Sequence, residues 1–107
     1  MSENDFFAAL SHPHRRLIIR TLGNSKGMPA SHLADAVGVS RPGLSSHLKV
    51  LKSSRIVHGE RRGKSIVYRL DNETLNSHIA DMLEFLNIGA IDHLFAGSPA
   101  GIAPRRP

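Results

Sequence analysis

Apolar residues recur at helical spacing along residues 40–54, as Leu44, Leu48 and Leu51 with Val50 beside them, and Ser40 and Pro42 supply an N-cap and a first-turn proline. The positions between, Arg41, Gly43, Ser45, Ser46, His47, Lys49 and Lys52, carry hydroxyls, an imidazole and cations and hold no carboxylate. The pattern predicts a helix with one face to the core and a second face suited to a polyanion. Upstream, residues 31–37 place Leu33, Ala34 and Val37 at the same period and stop at Gly38, a residue that readily closes a helix in the left-handed region. The pair reads as helix, turn, helix, an arrangement that lays its second helix in the DNA major groove with the N-terminal residues at base edges.

The flanking segments continue the pattern. Residues 5–10 form a short apolar segment with Phe6 and Phe7 adjacent. Neighbours on a helix point roughly 100° apart, so one short helix cannot easily bury both rings against its own domain, and a second surface is expected. Pro13 opens a helix running to Gly23, with Leu17, Ile18 and Leu22 inward and Arg15, Arg16 and Arg20 outward, and residues 24–29 read as loop. Beyond Ser54 the period changes from helical to alternating. Residues 56–58 and 65–70 read as two strands, and the intervening GERRGK, with Arg61, Arg62 and Lys64, reads as the tip of a basic hairpin that can reach along phosphates or into the minor groove.

Asp71 then caps a last helix with two apolar stripes, one of Leu75, Ile79, Met82, Leu83, Leu86 and Ala90 and one of Phe85, Ile88, Ile91 and Phe95. Two stripes exceed what one small domain can bury, which predicts a homodimer through the first and last helices. Its expected interface is Phe6, Phe7, Met82, Phe85, Ile88 and Ile91. Residues 97–107 have no period and read as a disordered basic tail behind a domain of residues 1–96. The expected architecture is mainly α with a β-hairpin, in the order ααααββα.

Charge sharpens this reading. The net charge is +5 over 107 residues, but its placement says more than its sum. Residues 41–69 hold eight cations against one carboxylate, Glu60, whereas residues 71–92 hold five carboxylates and no Lys or Arg. The middle of the chain therefore faces the polyanion, double-stranded DNA, and the C-terminal third does not. The absence of cysteine excludes disulfides, thiolate metal sites and thiol redox sensing. With no apolar run of membrane-span length and an acidic start, MSENDFF, a soluble cytoplasmic protein is expected. Nothing in the sequence resembles an activated nucleophile or an acid/base pair, so an enzyme is not expected.

The elements taken together resemble the ArsR/SmtB family of bacterial winged-helix transcription regulators. The resemblance rests on ALSHPHRRLIIRTL, HLADAVGVSRPGLSSHLKVLKSSRIV and GERRGKSIVYRL, and spans residues 5–94. It implies a winged helix-turn-helix fold and a symmetric dimer on a palindromic operator, usually repressing until an effector binds. It also places Arg41, Gly43, Ser45, Ser46 and His47 at the groove and makes Arg61, Arg62 and Lys64 the wing. The thiolate sensor of some members is absent, since Pro29, Ala30 and Ser31 stand there, and the positions aligned with the zinc-type sensor are Asn72, Thr74, Phe85 and Ile88.

Seven histidines remain as effector ligands, and imidazole with carboxylate suits nickel, zinc or cobalt without sulfur. His78 and Asp81 stand one turn apart on the last helix, and His12 and His14 flank Pro13, so these four are the metal candidates. His47 is assigned to DNA, His93 beside Asp92 is a weaker ligand pair, and His32 and His58 show no partner in sequence. Two further readings stay open: the DNA-reading subunit of a two-protein regulator whose sensor is a separate protein, and a winged helix used for protein contact.

Overall fold

A computed structural model describes residues 3–86, with helices α1 (Glu3–Leu10), α2 (Pro13–Gly23), α3 (Ala30–Val37), α4 (Arg41–Ser53) and α5 (Asn72–Phe85) and strands β1 (Met28–Pro29), β2 (Val57–Arg62) and β3 (Ser65–Leu70). One compact unit ends at Asn76 and a second begins at Ser77. The expected boundary between residues 96 and 97 and the expected tail lie outside the described residues.

The core is built from the stripes. Ile18 and Leu22 of α2, Leu33, Ala34 and Val37 of α3, and Leu44, Leu48 and Leu51 of α4 are buried together with Ile56, Val57 and Tyr68. Each such leucine or isoleucine stabilises the fold by roughly 1.5 to 3 kcal/mol, so three leucines at helical spacing are enough to fix which face of α4 points outward. The Ser40 Oγ accepts the Gly43 amide hydrogen at 3.1 Å, which starts α4 where the N-cap signal lies. Gly38 ends α3 at φ 82, its amide donating to the Ala34 carbonyl at 2.8 Å, and this left-handed residue makes the turn between the two helices.

Three features differ from the expectation. The stretch read as loop before α3 contains β1, whose Met28 and Pro29 pair antiparallel with Tyr68 and Val67 of β3, so the sheet has three strands in the order β1-β3-β2. Two residues are too short to show a period, and only pairing makes them a strand. The first hairpin strand runs on to Arg62, with Arg61 opposite Ile66 and Arg62 opposite Ser65, which leaves a tight turn at Gly63 and Lys64 with Gly63 at φ 64. Gly59 is thus a strand residue rather than a tip residue: a Cβ there would lie 2.8 Å from Tyr68 Cε1.

The third difference concerns α1 and α2. Phe6 is only 3% exposed and turns into its own chain, whereas Phe7 is 38% exposed. Of the two rings expected at an interface, Phe6 therefore has almost no surface left to offer a partner. Arg15 and Arg16 do not simply face solvent but reach back to the C-terminal end of α1. Arg15 Nε donates to the Ala8 carbonyl at 3.0 Å and Arg16 NH1 to the Leu10 carbonyl at 2.6 Å. Cations there satisfy carbonyls that have no partner within the helix.

Asp71 caps α5 as expected, its Oδ1 accepting the Thr74 amide hydrogen at 2.9 Å. Leu75 packs on the core, while Ile79, Leu83, Phe85 and Leu86 are exposed. Among the described residues no helix is long and apolar enough to cross a membrane.

Candidate nucleic-acid interface

The burial of Leu44, Leu48 and Leu51 leaves Arg41, Ser45, Ser46, Lys49 and Lys52 exposed on α4. At roughly 100° per residue, Arg41, Ser45, Lys49 and Lys52 fall within one arc of the helix surface. Gly43 is half-buried and serves the cap, and a Cβ on it would sit 3.1 Å from Ser40 Oγ. Arg61, Arg62 and Lys64 are exposed at the far end of the hairpin.

A cleft of about 460 Å³ runs between α4 and the hairpin, with Arg41 and Ser45 on one side and Arg61, Lys64 and Ile66 on the other. Tyr68 closes its floor and lies under Lys52, whose Nζ is 5.9 Å from the ring centroid. The helix face and the hairpin, remote in sequence, therefore border a single cationic concavity. Arg62 makes an ion pair with Glu60 at 3.2 Å, and both side chains are well exposed, so the pair is weak and does not withdraw the guanidinium from an anionic partner.

His47 takes another position. Its ring is half-buried on the flank of α4 that faces α2, with its centroid 4.5 Å from that of His12 and 5.6 Å from that of His14. Its Nδ1 accepts from Arg15 NH1 at 3.3 Å. Desolvation, followed by the nearby His12, Arg15 and His14, holds the His47 pKa below its ordinary value. His12 is lowered as well, by desolvation first and then by His14, Arg15 and Arg16. The helical phase of residue 47, which falls beside Leu51 rather than Ser45, was the sequence signal for this side of the helix.

The other candidates are placed as follows. His12 caps α2 through Nδ1, which accepts the His14 amide hydrogen at 3.0 Å. His78 is half-buried and Asp81 exposed on α5, Met82 is half-buried, Phe85 is 62% exposed, and Ile88 and Ile91 lie outside the described residues. His58, which shows no partner in sequence, has one in space: its Nε2 is 2.8 Å from Asp71 Oδ2.

A helix-turn-helix domain model matches residues 10–60. The transcriptional repressor SdpR of Bacillus subtilis is 36% identical, covering 83% of this chain and 98% of that protein. The transcriptional repressor SmtB of Mycobacterium tuberculosis is 34% identical over 81% of this chain and 64% of its own length. Among solved structures, an ArsR-like transcriptional regulator from Rhodococcus sp. RHA1 superposes with a TM-score of 0.71 at 33% identity, over 88% of this chain and 87% of that one. A mainly helical chain with a small antiparallel sheet, a cationic helix-turn-helix and relatives of this kind belongs to the ArsR/SmtB family of winged helix-turn-helix transcriptional regulators, which are not enzymes.

Proposed function

We propose that this protein is a homodimeric, sequence-specific DNA-binding repressor acting on a palindromic operator. The observation that carries the reading is the shared cleft, in which Arg41 and Ser45 of α4 face Arg61 and Lys64 of the wing. Arg41 and Ser45 enter the major groove and read one half-site, while Ser46, Lys49 and Lys52 with the wing cations Arg61, Arg62 and Lys64 hold the phosphates on either side. Two copies related by a two-fold axis supply two half-sites. The exposed Phe7, Ile79, Leu83, Phe85 and Leu86 support a second copy as the partner of the first and last helices.

The test is a mobility shift with the purified chain on DNA from upstream of its own gene and on a random duplex of equal length. At physiological salt the upstream DNA is retarded at a protein concentration roughly a thousandfold below that needed for random DNA. Equal retardation of both would show a non-specific binder, and no retardation of either would favour a winged helix used for protein contact.

A further inference from the structure

Among the described residues, His12, His14 and His47 form the one group of three histidine or acidic side chains able to converge on an ion, with a ligand nitrogen from each lying within 4.8 Å of the others. We propose that these three imidazoles bind a divalent transition-metal ion of the nickel, cobalt and zinc class, and that the ion sets the pose of the recognition helix; the second half of this proposal rests on the DNA-binding reading above. The ligands come from two places that the fold brings together. His12 and His14 stand at the N-terminus of α2, and His47 stands in the middle of α4, the helix that also presents Arg41 and Ser45.

The geometry and the donor chemistry agree. Imidazole nitrogens about 2.1 Å from a tetrahedral ion are about 3.4 Å apart, so the three donors must close by roughly 1.4 Å from their outer limit. Half-buried histidines on two helix surfaces cover that distance by side-chain rotation. Three nitrogen ligands and no thiolate suit this class of ion and leave a fourth position for water or a further ligand.

Ion binding must also rearrange hydrogen bonds, because a neutral imidazole has one lone pair. The His47 Nδ1 lone pair is taken by Arg15 NH1 at 3.3 Å. An ion on Nδ1 displaces that guanidinium, and an ion on Nε2 moves the ring proton to Nδ1, where it can no longer accept. In either case Arg15 leaves His47 and moves its charge away from the ion. The same guanidinium donates to Ser11 Oγ at 2.8 Å and to the Ala8 carbonyl at 3.0 Å, so its release loosens the junction of α1, α2 and α4. His12 likewise gives up its cap on the His14 amide if it ligates through Nε2. The ion thereby exchanges one set of contacts between α2 and α4 for another, and by linkage its binding and DNA binding alter each other equally.

Calorimetric titration of the metal-free full chain with nickel, cobalt and zinc chlorides, without DNA, tests the site directly. The wild type is expected to take up one ion per chain. His12→Asn, which keeps a side chain able to cap α2, and His14→Gln each weaken binding by roughly tenfold or more, with circular dichroism confirming the fold. Cobalt adds an absorption signature of coordination that the same variants lose. His78→Gln leaves the affinity unchanged. Failure of the wild type to bind, or loss of binding in His78→Gln with retention in His12→Asn and His14→Gln, overturns the site. The coupling is read separately: saturating nickel shifts the affinity of the wild type for its operator by roughly fivefold or more and does not shift that of His14→Gln. An ion that binds without moving operator affinity overturns the coupling and leaves the site standing. A chain that binds ions but no DNA overturns the DNA-binding reading and the coupling together.

Discussion

His58 on β2 and Asp71 at the start of α5 meet through Nε2 and Oδ2 at 2.8 Å, while Asp71 Oδ1 takes the Thr74 amide at 2.9 Å. One carboxylate thus fastens the base of the wing to the last helix. The Thr74 amide first, and then His58, lower the Asp71 pKa to about 2. A folded pKa below the unfolded value of about 3.9 means that this contribution is complete above about pH 4 and is lost as the pH falls through about 2. Asp71→Ala is expected to cost about 1 kcal/mol at pH 6, a drop in Tm of about 4 to 8 °C, and the gap to wild type should narrow between pH 4 and pH 2. A gap that holds constant over that range in thermal melts would remove the charge from the account.

Gly59 has no room for a methyl group. Its Cβ would stand 2.8 Å from Tyr68 Cε1 and 3.2 Å from Ile66 Cγ2, and Tyr68 is 9% exposed and packed on the core. Gly59→Ala should destabilise the chain by about 1 to 3 kcal/mol in urea unfolding. Most of the penalty should disappear in a Tyr68→Ala background, since the clash is with that ring; additive losses would place the cost elsewhere.

On the DNA-binding reading proposed above, the wing cations act through phosphate. Arg61→Ala with Arg62→Ala is expected to weaken binding to all DNA sequences alike and to reduce the slope of log affinity against log salt by roughly 2 per chain. Fluorescence anisotropy at four salt concentrations gives the slope. An unchanged value would remove the wing from the contact surface.

Arg41 follows the N-cap directly and borders the cleft, where a guanidinium can take guanine O6 and N7 together. Lys52 stands at the opposite end of α4 over Tyr68. Arg41→Ala should cost about 1 to 3 kcal/mol more on the operator than on random DNA, whereas Lys52→Ala should lower both about equally. Equal losses for Arg41→Ala in competition binding would make it a phosphate contact.

Phe85 is 62% exposed at the end of α5. If that face meets a second copy, Phe85→Asp puts a carboxylate into an apolar seam, at a cost of several kcal/mol when unpaired, and sedimentation velocity should show monomer. A dimer of unchanged strength would move the interface off this face.

Much of this protein was legible in the order of its residues. Ser40, Pro42 and the leucines at 44, 48 and 51 determine both the start of α4 and its outward face, because capping and helical period are local properties. Gly38 determines the turn for the same reason, and the run of like charge in residues 41–69 determines the kind of partner. Contacts made across the fold were decided only by the tertiary structure. Strand β1 exists because β3 lies beside it, and Gly59 is constrained by a ring nine residues away. Phe6 and Phe7 are neighbours in sequence, but the packing of α1 buries one and exposes the other. His58 acquires its carboxylate thirteen residues on. His47 is thirty-three residues from His14, and only the packing of α1 and α2 against α4 sets their rings 5.6 Å apart. Side-chain chemistry is written in the sequence, but the distances that bring the imidazoles of His12, His14 and His47 together arise from burying the apolar faces beneath them.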